Sequence, residues 1–284
     1  MKRIHLYATM LIVAFLGGAA AQAHQTYLFA DLYDLLPGKD NYLTLYNGTY
    51  YESGYSITEK MSRDISIVMG GKRMTPQEAG GGVSDVDGNP DLVATFIGLV
   101  ADPEGTGLGG VAAHPDYIAL PAVLFRNYLE HEGMFDALAE FDENNELTTI
   151  RERYTKHAKG IFQVGEPLTD DYKEVLGYKV EIIPEVHPGR LSVGDTMSVQ
   201  VLYDGNPLEN QYVYASHAGF KPNFDGAVPE GSLYKLRTDS EGRVSFEISA
   251  KDKWYIQLIH MQQVDDEDAD YESNWSTLTF EVTN

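Results

Sequence analysis

Apolar and polar residues alternate from Thr26 to about Ala101, between glycine-rich turns. Leu43-Thr44-Leu45-Tyr46 and Ile65-Ser66-Ile67-Val68 have the period of two expected of half-buried strands. The pattern changes at Pro115. Tyr117, Leu120, Leu124, Tyr128 and Leu129 recur at threes and fours, as on one helix face, and Pro121 suits the first turn of a helix. Met134, Leu138 and Phe141 predict a second short helical piece after Gly133. Thr149 to Phe162 is heavily charged, and Ile150, Tyr154, Ala158 and Phe162 are spaced by four, which predicts a third helix.

Alternation returns at Gly177. Strand candidates are Tyr178 to Ile183, Met197 to Tyr203, Tyr212 to Ser216, Val244 to Ile248, Trp254 to His260 and Thr277 to Val282. Asp204-Gly205-Asn206-Pro207 and Asp239-Ser240-Glu241-Gly242 supply turns between them. The phrase from Gly38 to Gly48 is similar to that from Gly194 to Gly205, as in two related sandwiches. The expected fold is mainly β, with two β-sandwich domains of immunoglobulin-like or transthyretin-like form. Its expected parts are an N-terminal β domain over 24–110, a helical insert over 111–170 and a C-terminal sandwich over 171–284.

Residues 1–23 read as a secretory signal peptide. Lys2 and Arg3 form the basic start, Leu11 to Leu16 the short apolar core, and Ala21-Gln22-Ala23 the small-x-small cut site. The apolar run is too short to span a bilayer. The expectation is a periplasmic or secreted protein without a membrane span, its mature chain starting at His24. With no cysteine, such a chain is held by its core without disulfides. A hydrophobic fraction of 43% excludes a disordered chain despite the charge. The net charge of −22 repels nucleic acid and attracts cations.

No glycine-rich phosphate loop, nucleophile elbow or His-Glu-x-x-His pair is present, so nothing in the sequence signals an enzyme. Histidine is the candidate chemistry. A mature N-terminal His24 offers an α-amine and an imidazole on one residue. The amine's unperturbed pKa is about 8, and imidazole suits nickel, copper and zinc. His260 ends the apolar face Trp254, Ile256, Leu258, and His217 ends the face Val213, Ala215. Both are expected to point inward at strand ends, as ligands or as core-edge histidines bonded to a carbonyl. His114, His131 and His157 read as exposed, and His187 as placed in a loop near the second sandwich. Asp265 to Asp270 holds five carboxylates in six residues but lacks EF-hand spacing, so it reads as a solvated hairpin loop. Tyr46, Tyr50, Tyr51 and Tyr55 form a tyrosine-rich edge suited to stacking on a partner.

The mature chain resembles an exported family of unknown function often labelled a periplasmic component of cobalt or nickel uptake. The resemblance is carried by Ala23-His24, Leu36-Pro37-Gly38, Phe125 to Gly133, Arg151-Glu152-Arg153-Tyr154 with Ala158-Lys159, and Ile259-His260-Met261. It implies a C-terminal sandwich of carboxypeptidase-regulatory-like or immunoglobulin-like form. It also implies a transition metal ion (nickel, cobalt or copper) as cargo and a membrane uptake system as partner. Related chains carry a histidine after the glycine that ends the second strand, where this chain has Thr49. The functional expectation is a non-enzymatic metal-binding protein using His24, His260 and His217. The alternative is a β-sandwich interaction module for a polymer or envelope partner.

Overall fold

The computed structural model describes residues 25–284 except 31–32, 52, 55–56, 86–93 and 222–231. The N-terminal half forms β1 (Gln25–Ala30), β2 (Asp34–Leu35), β3 (Asp40–Gly48), β4 (Ser62–Met69), β5 (Lys72–Met74), β6 (Val83–Asp85), β7 (Thr95–Val100), β8 (Gly105–Ala113) and β9 (Asp116–Pro121). Helices α1 (Ala122–His131) and α2 (Phe135–Asn144) follow, then β10 (Thr149–Val164). The C-terminal half forms β11 (Val180–Pro184), β12 (Thr196–Tyr203), β13 (Asn206–Pro207), β14 (Tyr212–His217), β15 (Tyr234–Arg237), β16 (Arg243–Glu247), β17 (Asp252–Gln263) and β18 (Tyr271–Val282).

These strands make three sheets. One runs β1-β3-β7-β6, a long one runs β15-β14-β17-β18-β10-β8-β4-β5, and β11, β12, β13 and β16 form the third. The first and third sheets cover opposite faces of the long one. On one face Leu28, Leu43 and Leu99 pack with Ile67, Ala158 and Phe162. On the other, Ile182, Val199 and Phe246 pack with Leu108, Ile161, Trp254 and Leu278. Adjacent residues such as Ile161 and Phe162 thus face different cores, as the pleat requires. The two expected sandwiches exist as pairs of layers sharing the long sheet. The parallel pairing of β10 with β18, from Glu152↔Tyr271 to Gly160↔Thr279, joins the halves.

Helices α1 and α2 form after Pro121 and Gly133 as expected, but of the expected face of the first, Tyr117 and Leu120 lie in β9 and Leu124 is exposed. Phe125, Leu129 and Phe141 pack on Ile150, Ile259 and Trp275. The third expected helix is absent: 149–164 is a strand. A spacing of four suits a helix, but it also keeps residues on one face of a strand, whose period is two. Ile150, Ala158 and Phe162 are all buried, Ile150 against the helices and Ala158 and Phe162 against the first sheet. The helical part of 111–170 therefore shrinks to α1 and α2. Among the described residues no helix is long and apolar enough to cross a membrane.

Candidate functional site

Strand β10 is buried on both faces from Lys156 to Phe162, and a charged side chain buried along it needs a partner. Lys159 donates from Nζ to Glu181 Oε1 at 2.9 Å and to the Glu174 carbonyl at 3.0 Å. Glu181 in turn accepts from the backbone N–H groups of Leu176, Gly177 and Tyr178. Arg153 bridges Glu272 and Asp266, both at 2.6 Å. Glu152 Oε1 accepts from the Tyr128 hydroxyl at 3.1 Å and from Ser273 Oγ. Burial pushes the Glu152 carboxyl up to about 7, against those two hydrogen bonds.

Lys156 is different. Its Nζ donates to the amide oxygen of Asn47 at 2.8 Å and has no carboxylate in ion-pair contact among the described residues. The rings of Tyr154 and Trp275 lie 5.6 and 5.8 Å from Nζ. The side chain is 5% exposed, and burial pushes its pKa down to about 8 although Glu132, Asp116 and Glu152 pull the other way.

Pairing explains the place. Strand β10 pairs with β9 as far as Tyr154↔Asp116 and with β8 from Ile161↔Leu108. Lys156 falls between those two registers, where the chain crosses from β8 to β9. A cavity of about 170 Å³ opens there, lined by Asn47, Ile57, Met61, Asp116, Tyr154 and Lys156. Asp116 is already engaged, accepting from the Tyr154 hydroxyl at 3.0 Å and from the Tyr117 N–H at 2.8 Å. Asn47 Oδ1 also accepts from Thr26 Oγ1 at 3.3 Å, and Asn47 Nδ2 is buried without an acceptor among the described residues. The volume is well beyond the 10–15 Å³ or so that one water needs and below the ~300 Å³ at which drug-sized pockets begin.

The expected histidine cluster does not assemble among the described residues. His24 lies outside them, as does Tyr55. His217 sits opposite Trp254, whereas His260 is six residues further along the same strand, about 20 Å away at the strand rise. His217 Nδ1 is 2.8 Å from Asp252 Oδ2, and His260 Nδ1 is 2.9 Å from Gln211 Oε1. Among the described residues no group of three or more His, Asp or Glu side chains is placed to hold a metal ion. The donors present do not fit a transition metal shared by His217 and His260.

A family model described as a domain of unknown function, DUF4198, matches residues 21–262. The chain belongs to that family. No curated protein matches it. The DUF4198 chain is similar to the D0–D1 domain of intimin at 11% identity and a TM-score of 0.21, over 90% of this chain and 97% of that one. It is also similar to the Yersinia pseudotuberculosis adhesin InvE, at 12% identity and a TM-score of 0.22, and spans 61% of that chain. A Salmonella alpha-2-macroglobulin variant aligns over 15% of its length at 13% identity and a TM-score of 0.18.

Other features of this DUF4198 chain also differ from expectation. His157 is buried, not exposed; its Nδ1 donates to the Trp275 carbonyl at 3.1 Å, and burial holds its pKa down to about 4. His187 accepts the Gly189 N–H on Nδ1, so Nε2 carries the proton and donates to Thr106 Oγ1 at 2.8 Å. The acidic loop, by contrast, is the largely exposed connection between β17 and β18 that its sequence suggests, with two of its five carboxylates paired, Asp270 with Arg151 and Asp266 with Arg153. Tyr46 and Tyr50 pack into an aromatic cluster with Phe29 and Tyr255, and Tyr51 stays exposed. Burial of Lys156 left no mark in the sequence beyond its even position in β10.

Proposed function

We propose that this protein is a non-enzymatic binding module of an exported compartment, and that it takes a small ligand into the Asn47–Lys156 cavity. One observation carries the reading: a buried lysine without a carboxylate partner lines that cavity. A buried, unpaired ammonium destabilises the empty fold, and side chains that destabilise without a structural return are expected at binding sites. The cavity's size favours a small molecule over the polymer expected as the alternative.

Transport of nickel, cobalt or copper to a membrane uptake system remains a second reading. It is favoured by His260, whose Nδ1 is committed to Gln211 Oε1 and whose Nε2 keeps a lone pair for a ligand. Thermal unfolding of the full mature chain separates the two. Stabilisation by a small organic molecule, lost in Lys156→Met, is the result expected from the cavity. Stabilisation by nickel or copper that disappears when one residue is added before His24 would support the metal instead. No response to either class would remove both readings.

A further inference from the structure

Beside the cavity, whose polar lining also includes His114 and Asp116, donors on Lys156 and Asn47 lack acceptors among the described residues. Lys156 has three N–H donors and one hydrogen-bond acceptor among the described residues, the amide oxygen of Asn47. Asn47, 1% exposed, has two further N–H donors on Nδ2 and no acceptor for them among the described residues. That nitrogen cannot be exchanged with the amide oxygen by rotation, because the atom 2.8 Å from the Lys156 ammonium, which only donates, must be the acceptor oxygen. Buried donors in this state are rare in folded proteins and call for an unaccounted partner.

The carboxylates nearby do not supply it. Asp116 accepts from Tyr154 and the Tyr117 N–H. Glu152, four residues back along β10, accepts from Tyr128 and Ser273 on Oε1, while its buried Oε2 has no partner among the described residues and makes no contact with Lys156. The missing partner is therefore an acceptor carrying negative charge. Ile57 and Met61 on the cavity wall suit a short apolar body behind that charge.

We propose that the cavity binds the carboxylate group of a small organic acid, one oxygen accepting from Lys156 Nζ and the other from Asn47 Nδ2, with its hydrocarbon part against Ile57 and Met61. A charge-assisted hydrogen bond is about twice as strong as a neutral one, so charge and not shape is the main selector. The proposal rests on the cavity reading above and assigns its ligand class.

The test uses acetate and its neutral isostere acetamide as probes, on the full chain, at constant ionic strength set with chloride. Acetate is expected to stabilise the protein with a saturable dose response, and acetamide to bind at least tenfold more weakly. Lys156→Met and Asn47→Asp are both expected to lose the acetate response. The second variant supplies an internal carboxylate for Lys156, so it keeps the charge pair and fold while filling the anion's place. Circular dichroism verifies the fold of each. Equal binding of acetamide and acetate, both lost in Lys156→Met, would overturn the anion class and leave the cavity reading standing. Acetate binding retained in both folded variants, or no binding of either probe, would overturn both. A response to phosphate and not to acetate would replace the carboxylate with a tetrahedral anion and overturn the proposal as stated.

Discussion

At the scale of single residues, Lys156 and Glu152 on β10 set opposite pH signatures. Lys156 has a folded pKa of about 8 against about 10.5 for an unfolded lysine. Below pH 8 both states are charged, and the folded state carries the whole penalty, about 3 kcal/mol. The penalty is relieved as pH rises from about 8 to about 10.5, where the unfolded chain holds more protons. Lys156→Met is therefore expected to stabilise the empty protein at pH 7 by about 1–3 kcal/mol, the gain seen when buried charge is replaced by hydrophobe. Urea unfolding at pH 7 checks it. Glu152 runs the other way, with a folded pKa of about 7 against about 4.5 unfolded. The folded state holds the extra proton between those values, so stability falls as pH rises from about 4.5 to 7, by about 3 kcal/mol through this group. Glu152→Gln is expected to flatten that fall, measured as the difference in unfolding free energy between pH 5 and pH 8. Glu181→Ala is expected to cost about 3–5 kcal/mol, because it leaves Lys159 charged and unpaired in the core. None of these partners was legible in the sequence. The pairs Lys159–Glu181 and Tyr128–Glu152 are separated by 22 and 24 residues, and burial of a lysine depends on which layers close over it.

Among elements, β10 organises the rest. The alternating segments and the two short helices were legible because hydrophobic period and Pro121 act locally. The charged strand was not, because a period of four fits both a helix and one strand face, and what decides it is burial on both faces. Strand β1 lies across β10 and β18 and is held by side chains rather than by a ladder there: Thr277 Oγ1 donates to the Thr26 carbonyl at 2.5 Å, and Thr279 Oγ1 to that of Leu28. This crossing needs Gly160. A Cβ there would stand 2.5 Å from the Leu28 carbonyl oxygen, a backbone atom that no rotamer change removes. Gly160→Ala is expected to cost about 1–3 kcal/mol. Because Thr26 also supports Asn47, the same variant is expected to weaken acetate binding, with faster amide exchange in β1. Unchanged exchange would show that β1 does not depend on this close approach. Of the histidines expected inward at strand ends, His217 ends β14 but His260 lies inside β17, which runs on to Gln263, and both are half-buried. Strand register separates them, and one-dimensional pattern carries no register between β14 and β17.

For the whole molecule, the shared long sheet makes the two sandwiches one unit. Dividing the chain near residue 170 would strip β18 of β10 and break the core in which Leu108 and Ile161 pack with Ile182 and Leu278. Calorimetry is expected to show a single unfolding transition whose van't Hoff and calorimetric enthalpies agree. Two resolved transitions would show instead that the halves are energetically separate. The cavity belongs to this larger arrangement, since β3 brings Asn47, β10 brings Lys156, and the β8–β9 crossing leaves the space between them. The most direct measurement is an NMR titration of the Lys156 side-chain amine in the full chain, assigned with Lys156→Met, with and without acetate. The account expects a pKa of about 8 in the free protein, rising when acetate binds and unmoved by acetamide. A value near the ordinary ~10.5 of lysine, indifferent to acetate, would contradict it.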